Sequence, residues 1–365
     1  MEQNTLTAGD PGKVWIIDAT LRDGEQAPGV SFGRPAKLAV AQALDRAGVD
    51  ELEVGTPVMG GAVQEDIRRI AALGLRCRLS VWCRAHIKDL GAALRCHVGG
   101  VHFSLPVSNI HMAALGKDRS WVLMQMEKLV HKARAVFDHV TVGAQDASRA
   151  DESFLIEFAG RAFAAGASRL RIADTVGIGR PSSIGGLVRC LRLAVPDLDL
   201  EFHGHNDLGM ATANALSALE SGARSVSVTV NGLGERAGNA ALEQIVMALE
   251  MHPSLGCAVD APALLSLSRL VARAAGRAIA PDQPVVGDRV FTHESGIHCH
   301  AMFSDVRAYE PFSPQQSGHC DRRFVLGSHS GGTAIRNLLR QAGIRISARQ
   351  ARILRPLLVC GQAME

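Results

Sequence analysis

His203 and His205 stand two residues apart in Asp199-Leu-Glu-Phe-His-Gly-His205, a run with the alternation of a β-strand. On an extended strand, side chains two apart fall on one face, so the two imidazoles converge on one point. A carboxylate from another strand end would complete a two-histidine, one-carboxylate set suited to a divalent ion with open coordination positions. Asp23, in Arg22-Asp-Gly-Glu-Gln26, stands just beyond another apolar run. An isolated His-x-His is more often structural than metal-binding, so its weight depends on the elements that position it. Two further runs end in polar groups, at Asp174-Thr175 and at Asn231-Gly-Leu-Gly-Glu-Arg-Ala-Gly-Asn239.

Short β-branched or apolar runs alternate with longer amphipathic stretches from Val14 onward, as parallel strands alternate with crossover helices. The expected strands are Val14–Thr20, Glu51–Gly55, Arg76–Trp82, Val101–Val107, His139–Asp146, Arg169–Thr175, Asp199–His205 and Ser225–Gly232. Helical patterns lie between them, at Pro35–Ala47, Ala62–Leu73, Ser120–Phe137, Asp151–Ala165, Pro181–Ala194 and Met210–Ser221, with a last one near Ala240–Glu250. Gly48, Gly74, Gly166 and Gly222 stand where helix C-termini need them. Eight such units predict an α/β fold, a (β/α)8 TIM barrel. An open Rossmann sheet would need a glycine-rich turn after the first strand, and Leu21-Arg-Asp-Gly-Glu-Gln26 is charged instead. In a barrel the active site forms at the C-terminal ends of the strands, where the polar runs fall.

From Pro253 the rhythm changes to an apolar helix at Ala263–Ala275, a connector at Pro281–Pro284, and a His- and Gly-rich stretch at Phe291–Tyr309. Helical patterns at Gly332–Ala342 and Ala348–Val359 follow. The expected organisation is a flexible lead over 1–13, a catalytic barrel over 14–252, and a small, mainly helical C-terminal appendage over 253–365.

With 365 residues, 47% hydrophobic and 21% charged, the chain has an ordinary globular composition. A net charge of +3 without a Lys/Arg-rich run argues against a nucleic-acid or membrane-surface partner. The eight cysteines are scattered, with no Cys-x-x-Cys pair, and the N-terminal stretch lacks the apolar core of a signal peptide. These features predict reduced thiols and a cytoplasmic enzyme.

The chain resembles the acyl-CoA-dependent, Claisen-condensing branch of the metal-dependent TIM-barrel lyases: the isopropylmalate, citramalate and homocitrate synthases. The carriers are Asp18-Ala-Thr-Leu-Arg-Asp-Gly-Glu-Gln26, Glu51-Leu-Glu-Val-Gly55, Ala173-Asp-Thr-Val-Gly177, His203-Gly-His-Asn-Asp-Leu-Gly209, Asn231 to Asn239 and Glu294-Ser-Gly-Ile-His298, in that order. The resemblance implies that Asp23, His203 and His205 hold a divalent metal (Mg²⁺, Mn²⁺, Zn²⁺ or Fe²⁺). Asn239 is a further ligand, the N-cap of the helix beginning Ala240-Ala-Leu242, or both. It implies a 2-oxo acid chelated through its C1 carboxylate and C2 carbonyl, with Arg22 stabilising the charge that forms on the carbonyl oxygen. Acetyl-CoA is the implied co-substrate. His298 is the implied base, on a loop reaching into a neighbouring subunit of a homodimer with shared active sites, assisted by Tyr309, the one tyrosine in the chain.

One position departs from that family. Where related synthases carry a glutamate after strand five, this chain has Gln145, which can orient a neighbour but cannot take a proton. Asp146 or another group then compensates, or His298 acts with less help, or the chain is a weak enzyme; the intact remaining motifs favour the first two.

Substrate contacts are expected from Gln26, Glu53, Arg84, His86, Ser104, Arg149 and Thr175 at the strand ends. A cationic pair of Arg84 and His86 would suit a second carboxylate, which favours 2-oxoglutarate. The chain stops soon after the appendage, whereas leucine-regulated isopropylmalate synthases carry a further domain. With Trp82-Cys-Arg-Ala85 and Leu326-Gly-Ser-His-Ser-Gly331, the chain looks like the nitrogen-fixation type of homocitrate synthase. The alternatives are an isopropylmalate or citramalate synthase, a hydroxymethylglutaryl-type acyl-CoA lyase, and an inactive metal-binding paralogue. The lyase should carry a cysteine in the loop Gly232–Gly238, and that loop has none.

Overall fold

The computed structural model describes residues 12–327, 330–341 and 343–360. Ser328 and His329 of the Leu326–Gly331 motif, and most of the N-terminal lead, lie outside the described residues. The chain forms two compact units, 1–261 with 266–278, and 262–265 with 279–365. The helix expected at Ala263–Ala275 thus falls largely within the first unit.

The first unit is a closed barrel of eight parallel strands in sequence order. They are β1 (Trp15–Asp18), β2 (Glu51–Glu53), β3 (Arg78–Arg84), β4 (Gly100–Pro106), β5 (His139–Gln145), β6 (Arg169–Asp174), β7 (Asp199–Gly204) and β8 (Ser225–Val228). Closure is made by β1 pairing with β8, Trp15 opposite Ser225 and Ile17 opposite Ser227. The crossovers are α1 (Arg34–Ala47), α2 (Gly61–Ala71), α3 (Ile87–Leu94), α4 (Asn109–Ala114), α5 (Arg119–Arg134), α6 (Glu152–Ala164), α7 (Pro181–Ala194), α8 (Ala211–Glu220) and α9 (Leu242–Glu250), followed by α10 (Leu264–Ala275). Local sequence sets many of their ends. Asp118 and Asp151 accept from the backbone N–H groups of Trp121 and Phe154 at the starts of α5 and α6. Gly48 closes α1 in the left-handed region at φ 89°. Between β3 and β4 the structure adds α3, whose eight residues offer too little periodicity to stand out.

Apolar side chains such as Ile16, Leu52, Val142, Leu170 and Phe202 are buried on the outward faces of the strands, where the helices cover them. The interior is charged instead. Arg169 bridges Glu51 at 3.0 Å and Glu201 at 3.6 Å, Arg171 pairs with Glu201 and with Glu53 at 3.1 Å, and Glu53 meets Arg22 at 2.5 Å. All six residues are 9% exposed or less. In such a ladder each charge is tolerable because its neighbours are present, so removing one rung leaves an uncompensated buried ion at a cost of about 3–5 kcal/mol.

The second unit holds a two-stranded parallel ribbon, β9 (Thr292–His293) with β10 (Arg323–Phe324), and the helices α11 (Gly296–Met302), α12 (Gly332–Gln341) and α13 (Ala348–Cys360). Cys299 and Met302 anchor α11, while Ile297 is 76% exposed and His298 faces solvent. Among the described residues no helix is long and apolar enough to cross a membrane.

Candidate active site

β1 ends two residues earlier than its apolar pattern suggests because Asp18 turns the chain. Its carboxylate accepts from the Thr20 N–H at 2.8 Å and the Thr20 hydroxyl at 3.0 Å. The Ala19 carbonyl then accepts from the N–H groups of Arg22, Asp23 and Gly24, winding the segment into a tight turn at the barrel mouth. Asp23 is thereby aimed at β7, with Oδ2 3.3 Å from His203 Nε2. His203 and His205 project into the same space, their rings edge to face at 5.2 Å.

One candidate ligand atom from each of Asp23, His203 and His205 lies within 4.8 Å of the others, and all three residues are buried. Asp23 Oδ2 and His205 Nδ1 have no hydrogen-bond partner among the described residues, a costly state for buried polar atoms. The residues fit a divalent ion. His203 Nδ1 lies 3.1 Å from the Ser227 hydroxyl, which fixes the ring and leaves Nε2 facing Asp23. Burial, then His205 and the guanidinium groups of Arg171 and Arg22, hold the His203 imidazole well below its ordinary pKa, and burial lowers that of His205. Both rings are therefore neutral, the form a metal requires.

Asn239 joins them through a backbone bridge to His205. The loop from Asn231 to Asn239 folds back on itself, and Gly238 is required there. Its φ is +88°, and a Cβ would collide with the Gly232 carbonyl. The Asn239 side-chain amide donates to the Leu233 carbonyl at 3.1 Å, leaving buried Oδ1 without a partner among the described residues. The N-cap alternative does not hold, since α9 begins at Leu242 with Ala241 as its cap. Asn239 thus carries a buried, unpartnered oxygen on the residue bridged to His205.

A cavity of about 270 Å³ opens beside this group, lined by Arg22, Asp23, Gln26, Ser104, Gln145, Thr175, His203 and His205 among others. Arg22 Nη1 is 3.4 Å from Asp23, and its guanidinium lies 5.9 Å from the Trp82 ring. Glu53 does not line the cavity; it holds Arg22, Arg171 and His102 from beneath. Burial alone would raise the Glu53 carboxyl, but Arg171, Arg22 and His102 hold it well below the usual range.

Three more of the expected substrate contacts, besides Glu53, lie elsewhere. Arg84 is drawn sideways into a two-pronged pair with Asp89, both at 3.0 Å, and His86 caps α3 by accepting from the Lys88 N–H. Arg149 grips Asp146 through Nε at 2.8 Å and Nη2 at 2.7 Å. That pairing also bears on the missing glutamate. Asp146 is fully buried, left-handed at φ 64°, and hydrogen-bonded by Ser108 as well as Arg149, so it cannot stand in as a proton acceptor. Conversely, the cavity is lined by residues that sequence reasoning did not assign to the site, Trp82, Ala173, Glu235 and Arg236 and, on the inner wall, His102, Gly143 and Arg171. The signal for the last three was strand parity: 102, 143 and 171 share the inward register with Ser104, Gln145 and Ala173.

In the second unit, His298 and Tyr309 stack with ring centroids 3.9 Å apart, and Tyr309 is 42% exposed. His293 is tied instead to Glu310 at 3.2 Å, a carboxylate that Arg322 also clamps.

Comparison with known proteins agrees with this geometry. The HMGL-like family model matches residues 13–271, and the homocitrate synthase post-HMGL domain-like model matches 285–355. The chain is 46% identical to 2-isopropylmalate synthase 2 of Caldanaerobacter subterraneus subsp. tengcongensis, over 94% of this chain and 89% of that one. It is 47% identical to homocitrate synthase 1 of a Nostoc species, over 91% of this chain and 88% of the relative. The crystal structure of Bacillus subtilis HMG-CoA lyase superposes with a TM-score of 0.66 at 22% identity, covering 74% of this chain and 96% of that one, a likeness of fold. The chain belongs to the HMGL-like family, within its branch of homocitrate, isopropylmalate and citramalate synthases.

Proposed function

We propose that this protein is a homocitrate synthase of the nitrogen-fixation type, condensing acetyl-CoA with 2-oxoglutarate and water to give homocitrate and CoA. The observation that carries the reading is the convergence of Asp23, His203 and His205 beside Arg22 in one cavity at the C-terminal ends of the strands. A divalent ion held by these three residues, with Asn239 Oδ1 as a further oxygen, supplies Lewis-acid polarisation of the 2-oxo carbonyl.

The chain's own groups do the rest. Arg22, oriented by Glu53, stabilises the negative charge that develops on the C2 oxygen as the new carbon–carbon bond forms. The acetyl methyl group must lose a proton to a positioned base. His298, exposed and stacked on Tyr309, serves this role from the second unit of a partner copy, and Gln145 orients a neighbour by hydrogen bonding. Acetyl-CoA approaches along a groove of about 620 Å³ that shares Arg22, Gln26 and Trp82 with the cavity. Its cations are already engaged, Lys37 with Glu25 and Asp66 and Arg84 with Asp89, which suits the neutral pantetheine arm better than a phosphate. Water then cleaves the thioester, and the thiol departs as CoA.

Near-equal identity to an isopropylmalate synthase supports a second reading, with another 2-oxo acid in the same chemistry. Purified protein with Mg²⁺ or Mn²⁺ should release free CoA thiol from acetyl-CoA when 2-oxoglutarate is added, and not with pyruvate or 2-oxoisovalerate. Release with another oxo acid alone favours the second reading, and no release with any of the three overturns the synthase reading.

A further inference from the structure

The cavity has two sides. Asp23, His203 and His205 come from β1 and β7, and the opposite wall is built by β4, β5 and β6. On that wall Ser104, Gly143 and Arg171 are consecutive cross-strand neighbours, Ser104 opposite Gly143 and Gly143 opposite Arg171. Neighbouring strands lie about 4.8 Å apart, so Ser104 and Arg171 stand roughly 10 Å apart at the backbone, with the His102 ring leaning over Gly143 at the base of the gap. Glycine at 143 is what admits the His102 ring, because a Cβ there would run into His102 Nε2. That nitrogen is buried and has no hydrogen-bond partner among the described residues.

We infer that the Ser104–Gly143–Arg171 row is the subsite for the distal carboxylate of the 2-oxo acid, and that Arg171 sets the preference for a dicarboxylic substrate. The inference rests on the synthase reading above. Arg171 meets the cavity as a guanidinium already held in place, Nη1 on Glu53 and Nε on Glu201, so binding costs it little side-chain entropy. Neither carboxylate belongs to it alone. Glu53 is divided between Arg171 and Arg22, and Glu201 between Arg171 and Arg169. The Ser104 hydroxyl supplies a second donor across the gap. This subsite takes the place of the expected Arg84 and His86 pair, which is turned away from the cavity.

The test compares CoA release from acetyl-CoA with 2-oxoglutarate, pyruvate and 2-oxoisovalerate for the full chain and its Arg171→Lys and Ser104→Ala variants, after thermal unfolding confirms that each is folded. Arg171→Lys keeps the charge but loses the fork, and should raise the KM for 2-oxoglutarate about tenfold or more. Its kcat/KM with the monocarboxylic acids should hold or rise. Ser104→Ala lies outside the ionic ladder, so it stays interpretable if the arginine variant fails to fold; it should raise the same KM about threefold. Equal losses on all three acids, or an unchanged KM for 2-oxoglutarate in the folded variants, would overturn the subsite. So would a wild-type preference for a monocarboxylic acid. Failure of the wild-type chain to release CoA with any acid sinks the synthase reading itself, which separates the two outcomes.

Discussion

The Ser227 hydroxyl lies 3.1 Å from His203 Nδ1 and so turns Nε2 of that ring toward Asp23. Ser227 is fully buried on β8, and the two residues face each other across the β7 to β8 register. Removing the hydroxyl leaves the donor set intact while freeing the ring to rotate. Ser227→Ala should therefore weaken divalent-metal affinity about 10- to 100-fold, read by titration of Mn²⁺ or Zn²⁺ into apo protein. Affinity equal to that of the wild type would show that packing alone orients His203.

His102 gives the protein a measurable sensitivity to acid. Burial, reinforced by Arg171 and opposed by Glu53, lowers its pKa to about 4, whereas an unfolded histidine titrates near 6.5. The unfolded state thus takes up a proton first. The resulting stability is fully present above about pH 6.5 and is lost as pH falls toward 4, with a slope of ~1.4 kcal/mol per pH unit. His102→Gln retains a donor for Glu53 but does not titrate, so denaturant unfolding of the variant should show a shallower decline over this window. Identical slopes for the two proteins would refute the assignment.

Position 145 limits the rate if the chain lacks a barrel carboxylate for proton transfer. Gln145 lines the cavity, while Asp146 is locked by Arg149 and Ser108. General acid–base groups are worth about 10²–10⁴ in rate. Gln145→Glu should accordingly raise kcat about tenfold or more with little change in KM for the oxo acid. An unchanged or lower kcat would mean that His298 and Tyr309 suffice.

The shared-site proposal predicts complementation. Asp23→Ala removes a metal carboxylate from the barrel, and His298→Ala removes the base from the second unit. Mixed and allowed to exchange subunits, the two inactive proteins should regain a fraction of wild-type activity. No recovery in a demonstrated mixed dimer would place His298 in its own chain's barrel.

The barrel was legible because its strands and helices keep their own periods, 2 and 3.6, regardless of what they pack against. The same parity made the metal group legible, since His203 and His205 lie on one strand face and polar residues gather where strands end. Asp23 could be placed with them because a charged turn after a first apolar run has few structural uses.

Other assignments depended on pairings that no local pattern records. Arg84 and Arg149 stand at strand ends as substrate ligands would, yet each finds a carboxylate within five residues, Asp89 and Asp146, and closes on it. Arg171 and His102 sit mid-strand, where a sequence suggests nothing more than an interrupted core. Barrel closure brings β1, β2, β4 and β6 around one axis, so that Glu53 can hold Arg22, His102 and Arg171 together. Spacing along one chain was enough to read the barrel and to bring together Asp23, His203 and His205, the candidate metal set. Which cations face the cavity was decided only by the tertiary structure, because a buried charge goes where a partner of opposite sign is in reach.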